Sequence, residues 1–159
     1  MIDMTRSNTR ELALHLLYAV QCGEQSVEEV LSSRMDAEYY ASLSLENELY
    51  TEKPSKKQLL YIQKVVSGVT EKRQELDEKI SRLSENWKIN RISTLARAIL
   101  ELAMYEALYV SDVPVNVAIH EAVLLAKKYE EAETVKFVNG ILGAFSKELA
   151  NAPEEGAPC

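Results

Sequence analysis

Residues 95–109 carry the most apolar helical pattern in the chain, and a helix of that kind has to be covered on nearly every side. Apolar side chains recur at 95, 99 and 102, and again at 96, 100, 103 and 107. These are two stripes of one 3.6-residue period. Little polar surface remains beyond Arg97, Glu101 and Glu106. The pattern predicts a mostly buried central helix on which the rest of the chain packs.

The neighbouring segments read as helices too. Thr5 is positioned as an N-cap for a helix running to about Cys22, with Gly23 as its stop. Ser26 and Glu29 form a Ser-x-x-Glu capping box that starts a short helix over 27–33. Residues 34–54 are acidic and weakly periodic, and predict a loop or an irregular helical insertion. Ser55 caps the next helix, whose apolar side takes in Leu59, Leu60, Ile62, Val65, Val66 and Val69 and continues as Leu76, Ile80 and Leu83. Gly68 marks a kink or break in it, and Trp87 closes this half across a Glu85-Asn86 junction. Pro114 suits the first turn of a further helix ending near Tyr129. Glu130 to Glu133 reads as a connection, with Thr134 capping the last helix. No stretch alternates in the manner of a strand. The expected fold is all-α, about seven helices in two small packed bundles, 1–85 and 86–150, followed by a disordered tail at 151–159.

A length of 159 residues suits one domain or two small lobes. No apolar run reaches membrane-spanning length. The two cysteines, Cys22 and Cys159, form no pattern, which favours a reducing, cytoplasmic setting. The net charge of −7 would ordinarily exclude nucleic acid. Its distribution removes that objection. Residues 24–52 hold eight acids against one base, Arg34, which equals the whole excess. The remainder is neutral, and salt confines the acidic field to roughly 10 Å.

Enzyme chemistry finds little support. His15 and His120 come from separate helices without metal-ligand spacing, and the five glycines make no phosphate loop. No metal or cofactor is expected. On the first helix, Ala13, Leu16, Ala19 and Val20 form one stripe, while Arg6, Arg10, Leu14, Leu17, Tyr18 and Gln21 fall on another. The second stripe reads either as a solvated edge whose leucines and tyrosine complete a core or as a face that meets an extended strand. In the segment Lys136-Phe137-Val138-Asn139-Gly140, Val138 belongs to the core stripe and Phe137 points about 100° away from it. Phe137 with Lys136 would then offer a stacking ring and a charge near a helix N-terminus. The competing reading is a phenylalanine that seals a seam between helices.

Five strings resemble one family in order and spacing: Ala98 to Glu106, Asp112-Val113-Pro114, Val117 to Val123, Leu125-Ala126-Lys127 and Lys136 to Leu142. They are similar to the C-terminal half of the NusB family of bacterial transcription antitermination factors. The match covers about 88–145 strongly, and more weakly 6–22 through Arg10, Leu17-Tyr18 and Gln21. The resemblance implies a protein that is not an enzyme. It implies binding of single-stranded boxA RNA in nascent ribosomal transcripts, jointly with NusE. It further implies assembly with NusA and NusG on RNA polymerase, and some members pair as homodimers. Carried over by position, it assigns RNA contact to Arg6, Arg10, Tyr18, Gln21, Lys136 and Phe137. It also assigns the NusE-facing region to Ala96, Arg97 and Glu101. An RNA contact at Arg10 would make Arg10→Ala weaken binding and flatten its salt dependence. Ser7-Asn8 follow Arg6 where the family is richer in arginine, so binding by this protein alone should be weaker and less salt-sensitive. Ala96 stands where an acid is usual, and His120 and Leu124 depart from a usual asparagine and glutamate. The readings that compete are an RNA-independent helical docking scaffold and the accessory domain of an RNA cytosine-5 methyltransferase.

Overall fold

The computed structural model describes residues 4–23, 25–84 and 92–151. Seven α-helices account for most of them: α1 (Arg6–Cys22), α2 (Val27–Arg34), α3 (Ala37–Leu43), α4 (Lys56–Leu83), α5 (Thr94–Tyr109), α6 (Val115–Tyr129) and α7 (Ala132–Asn151). No strand occurs among the described residues. Trp87, the Glu85-Asn86 junction and the tail from 152 onward lie outside them.

Helix starts follow the capping chemistry in the sequence. Thr5 accepts from the Asn8 amide, and Ser26 and Ser55 each complete a capping box, with Glu29 and Gln58 respectively. A cap of this kind is worth about 1 kcal/mol. Two starts differ from expectation. Pro114 is the N-cap of α6 and not a residue of its first turn. Helix α7 begins at Ala132, which places Thr134 inside it and shortens the acidic connection.

Helix α5 is the centre. It packs against α1, α4, α6 and α7, and its residues 98 to 106 are all buried. Covering a single leucine in such a place contributes roughly 1.5–3 kcal/mol. Helix α1 is the second axis, held by α2, α4 and α5. Three neighbours cover both of its stripes, so Leu14 and Leu17 are as buried as Ala13 and Leu16. The leucines of the second stripe complete the core, as one of its two readings expects, while Tyr18 stays 40% exposed.

Of the two forms expected at 34–54, the structure shows the irregular helical insertion. It holds α3 and a single 3-10 turn, Glu48–Thr51. Tyr40 is buried and its hydroxyl donates to the Glu52 carbonyl at 2.6 Å. Helix α4 also runs unbroken through Gly68. That glycine serves a contact and makes no kink. A Cβ there would stand 2.1 Å from the Tyr105 hydroxyl oxygen, so the absent side chain admits Tyr105 of α5.

Candidate nucleic-acid interface

The structure divides the six expected RNA residues into exposed and interior sets. Arg6, in the first turn of α1, is exposed and its Nη2 lies 3.0 Å from Asp112 Oδ2. Tyr18 is 40% exposed, three turns further along the same helix. Lys136 is exposed on α7. It lines a groove of about 540 Å³ between α6 and α7, together with Val123, Lys127, Glu130, Val135 and Asn139. Glu130 links the two regions. It accepts a hydrogen bond from Ser93 Oγ, and its charge helps raise the Tyr18 hydroxyl pKa, behind the larger effect of Cys22.

Arg10 is corrected. Its side chain was expected to face outward, but the residue is only 2% exposed. Its guanidinium grips Glu106 of α5 through two bonds, Nε to Oε1 at 2.7 Å and Nη2 to Oε2 at 3.0 Å. Glu121 of α6 stands 3.4 Å from Nη1. Burial works against the charge, but Glu106 outweighs it and the guanidinium pKa is raised. The planar fork of arginine matches a carboxylate in two parallel bonds, which a lysine cannot do. Tyr61 of α4 lies beside this pair, and burial pushes its hydroxyl pKa up. Arg10 thus ties α1 to α5 and α6.

Phe137 is corrected likewise. It is 2% exposed and belongs to the core with Val138, Ile141, Leu142 and Phe145. Helix α7 contacts α4, α5 and α6, so its buried arc is wider than one stripe. The ring seals a seam, and Lys136 alone of that pair reaches solvent. Gln21 is half-buried, and its Nε2 donates to Glu101 Oε1 at 2.6 Å.

The three residues expected to face a partner also separate. Ala96 and Glu101 are fully buried, so neither presents its side chain outward. Arg97 is partly exposed, 3.7 Å from Asp77 Oδ2. Arg73 lies 3.6 Å from Glu101 Oε2. Burial, with Asp77 next to it, pushes the Glu101 carboxyl up to about 8. The Gln21–Glu101 bond therefore joins the expected RNA face to the expected partner region.

Sequence reasoning missed Lys127 and Asn139 as groove residues. Lys127 sat in view within one of the matching strings, but its meeting with Lys136 depends on how α6 turns onto α7. It also missed the seam between α1 and α6. There Ser7 donates to Glu121, and Lys128 Nζ reaches Glu11 at 2.7 Å. His15 lies between the hydroxyls of Tyr50, at 2.8 Å, and Tyr129, at 2.7 Å. Among the described residues no cluster could hold a metal ion, and no helix is long and apolar enough to cross a membrane.

The class is an all-α protein with a groove lined by Lys127 and Lys136 where α6 meets α7. Comparison with known proteins gives the family. The NusB family model matches residues 7–147. The transcription antitermination protein NusB of Bacillus subtilis (strain 168) is 35% identical over 146 residues, 92% of this chain and 98% of that protein. Its counterpart in Clostridium botulinum (strain Kyoto / Type A2) is 34% identical over 140 residues, 88% of this chain and 98% of its own. Among solved structures, T. maritima NusB is similar at a TM-score of 0.74 and 31% identity, covering 97% of both chains. A chain in a complex of antitermination factors NusB and NusE with double-stranded RNA has the same fold, with a TM-score of 0.67 and 23% identity over 89% of this chain and 96% of that one. The chain belongs to the NusB family of transcription antitermination proteins.

Proposed function

We propose that this protein binds single-stranded boxA RNA of nascent ribosomal transcripts together with NusE, and joins NusA and NusG on RNA polymerase to suppress termination. Family membership supports the reading, and a protein of this fold has been captured with NusE and double-stranded RNA. The observation that carries it is the α6–α7 groove, where Lys127 and Lys136 line a concave surface near exposed Tyr18. Lysines would neutralise phosphates there, and the tyrosine ring would stack a base. Arg6, exposed at the start of α1, would neutralise a further phosphate. Arg10, Gln21 and Phe137 act from inside by fixing α1 and α7 beneath the exposed residues. Arg97, with Ala96 and Glu101 behind it, supports the surface that meets NusE.

Fluorescence anisotropy with labelled boxA RNA and NusE tests this directly. Lys136→Ala should weaken binding and reduce the salt slope by about 0.7, the share of one phosphate on a single strand. Unchanged affinity and slope would remove Lys136 from the interface. The burial of Arg10 and Phe137 leaves fewer free contacts for RNA, which favours the docking scaffold as a second reading. Equal NusE binding with and without RNA, and no RNA binding in either state, would establish it.

A further inference from the structure

A second cavity of about 430 Å³ opens between the starts of α1 and α4, small but within the roughly 300–1,000 Å³ range of ligand sites. Its lining includes Arg6 of α1, Lys57, Leu60, Tyr61 and Lys64 of α4, and Asp112 of the α5–α6 connection. Spacings of three, four and seven residues place these four α4 residues on one helix face. Two lysines about 10 Å apart along the axis, at 1.5 Å per residue, therefore bracket an apolar pair.

Leu60 is 64% exposed, out of line with the inward residues Ile62, Val65, Val66 and Val69 of the same helix. Neither Lys57 nor Lys64 forms an ion pair with a described residue. Three cations thus face one carboxylate, in a chain whose net charge is −7. An apolar floor between cations suits a planar base with its phosphates better than it suits an acidic peptide, which would leave Leu60 and Tyr61 without an apolar partner. Arg6 lines this groove and is also the first residue of α1, the helix that carries exposed Tyr18.

We propose that this groove takes one nucleotide of the RNA flanking boxA, its base against Leu60 and Tyr61 and its phosphates against Lys57 and Lys64. The inference rests on the RNA-binding reading above and extends the same strand. Twelve residues separate Arg6 from Tyr18, about 18 Å along α1, so a strand lying at Tyr18 reaches the groove only by running that length of the helix. The test uses the full chain with NusE and two labelled RNAs, boxA alone and boxA extended on both sides. On the extended RNA, Lys57→Ala/Lys64→Ala should lower the salt slope by about 1.4, the share of two phosphates. On boxA alone it should match the wild-type protein. Equal slopes on the extended RNA would overturn the proposal. Weakened NusE capture with RNA slopes unchanged would overturn it too, and would give the groove to a protein partner. Failure of the wild-type protein to bind boxA alone would sink the underlying reading and this inference together.

Discussion

Arg10 shows how one side chain can belong to a recognised pattern and still do a different physical job. It sits on the helix face expected to meet RNA, yet both of its donor edges are spent on Glu106 and Glu121 inside the protein. Removing one partner of a buried ion pair leaves an uncompensated charge and costs about 3–5 kcal/mol. Arg10→Ala should therefore lower unfolding stability by that amount in urea titration, while the boxA salt slope keeps its wild-type value. Replacing both members with apolar residues of similar volume, as in Arg10→Met/Glu106→Leu, should recover most of the loss. Glu101 makes a second prediction at this scale. Its folded pKa of about 8 lies above the ordinary carboxyl value of 4.5. The folded state therefore holds a proton that the unfolded state has released between those values, and stability falls as pH rises through that window. Glu101→Gln should flatten the decline between pH 5 and pH 8, read by thermal unfolding. An unaltered pH profile would place the titrating group elsewhere.

At the scale of the element, Gly68 reverses its usual effect. In an ordinary helix interior Gly→Ala gains about 1 kcal/mol. Here the added methyl collides with Tyr105, and overpacking of this sort costs about 1–3 kcal/mol. Gly68→Ala should destabilise the protein, and the penalty should vanish in a Tyr105→Leu background, as a double-mutant cycle would report. The glycine was visible in the sequence but its partner was not, because Tyr105 lies on another helix. The same limit governs the rest. Caps at Thr5, Ser26 and Ser55 are local chemistry and were legible, as was the burial of α5 from its two apolar stripes. The positions of Arg10 and Phe137 were not, since periodicity within one helix cannot say how many neighbours cover it. Their burial follows from α1 meeting α2, α4, α5 and α6, and α7 meeting α4, α5 and α6. Lys136 kept its expected exposure because it projects on the side that those neighbours leave open.

For the whole molecule, charge is segregated along the chain more than it is scarce. The acidic excess lies in residues 24–52, the stretch that carries α2, α3 and the 3-10 turn, with Glu28, Glu38, Glu46 and Glu48 all exposed. Changing those four to glutamine should speed association with boxA RNA at low ionic strength. The two rates should converge near 1 M salt, where the screening length falls to about 3 Å. Identical stopped-flow rates at low salt would show that the insertion exerts no field at the binding surface. The insertion itself is moored by the cluster around His15. Tyr129 has a single hydroxyl proton, which it donates to Glu11. Its oxygen must then accept from His15 Nε2, which leaves Nδ1 bare to accept from Tyr50. Burial keeps the imidazole neutral by lowering its pKa. The chain of bonds consequently has one direction, from Tyr50 through the ring to Glu11, and His15 is locked in its Nε2–H tautomer. Imidazole nitrogen resonances would read that choice directly, and its loss in a Tyr129→Phe variant would mark the release of the mooring.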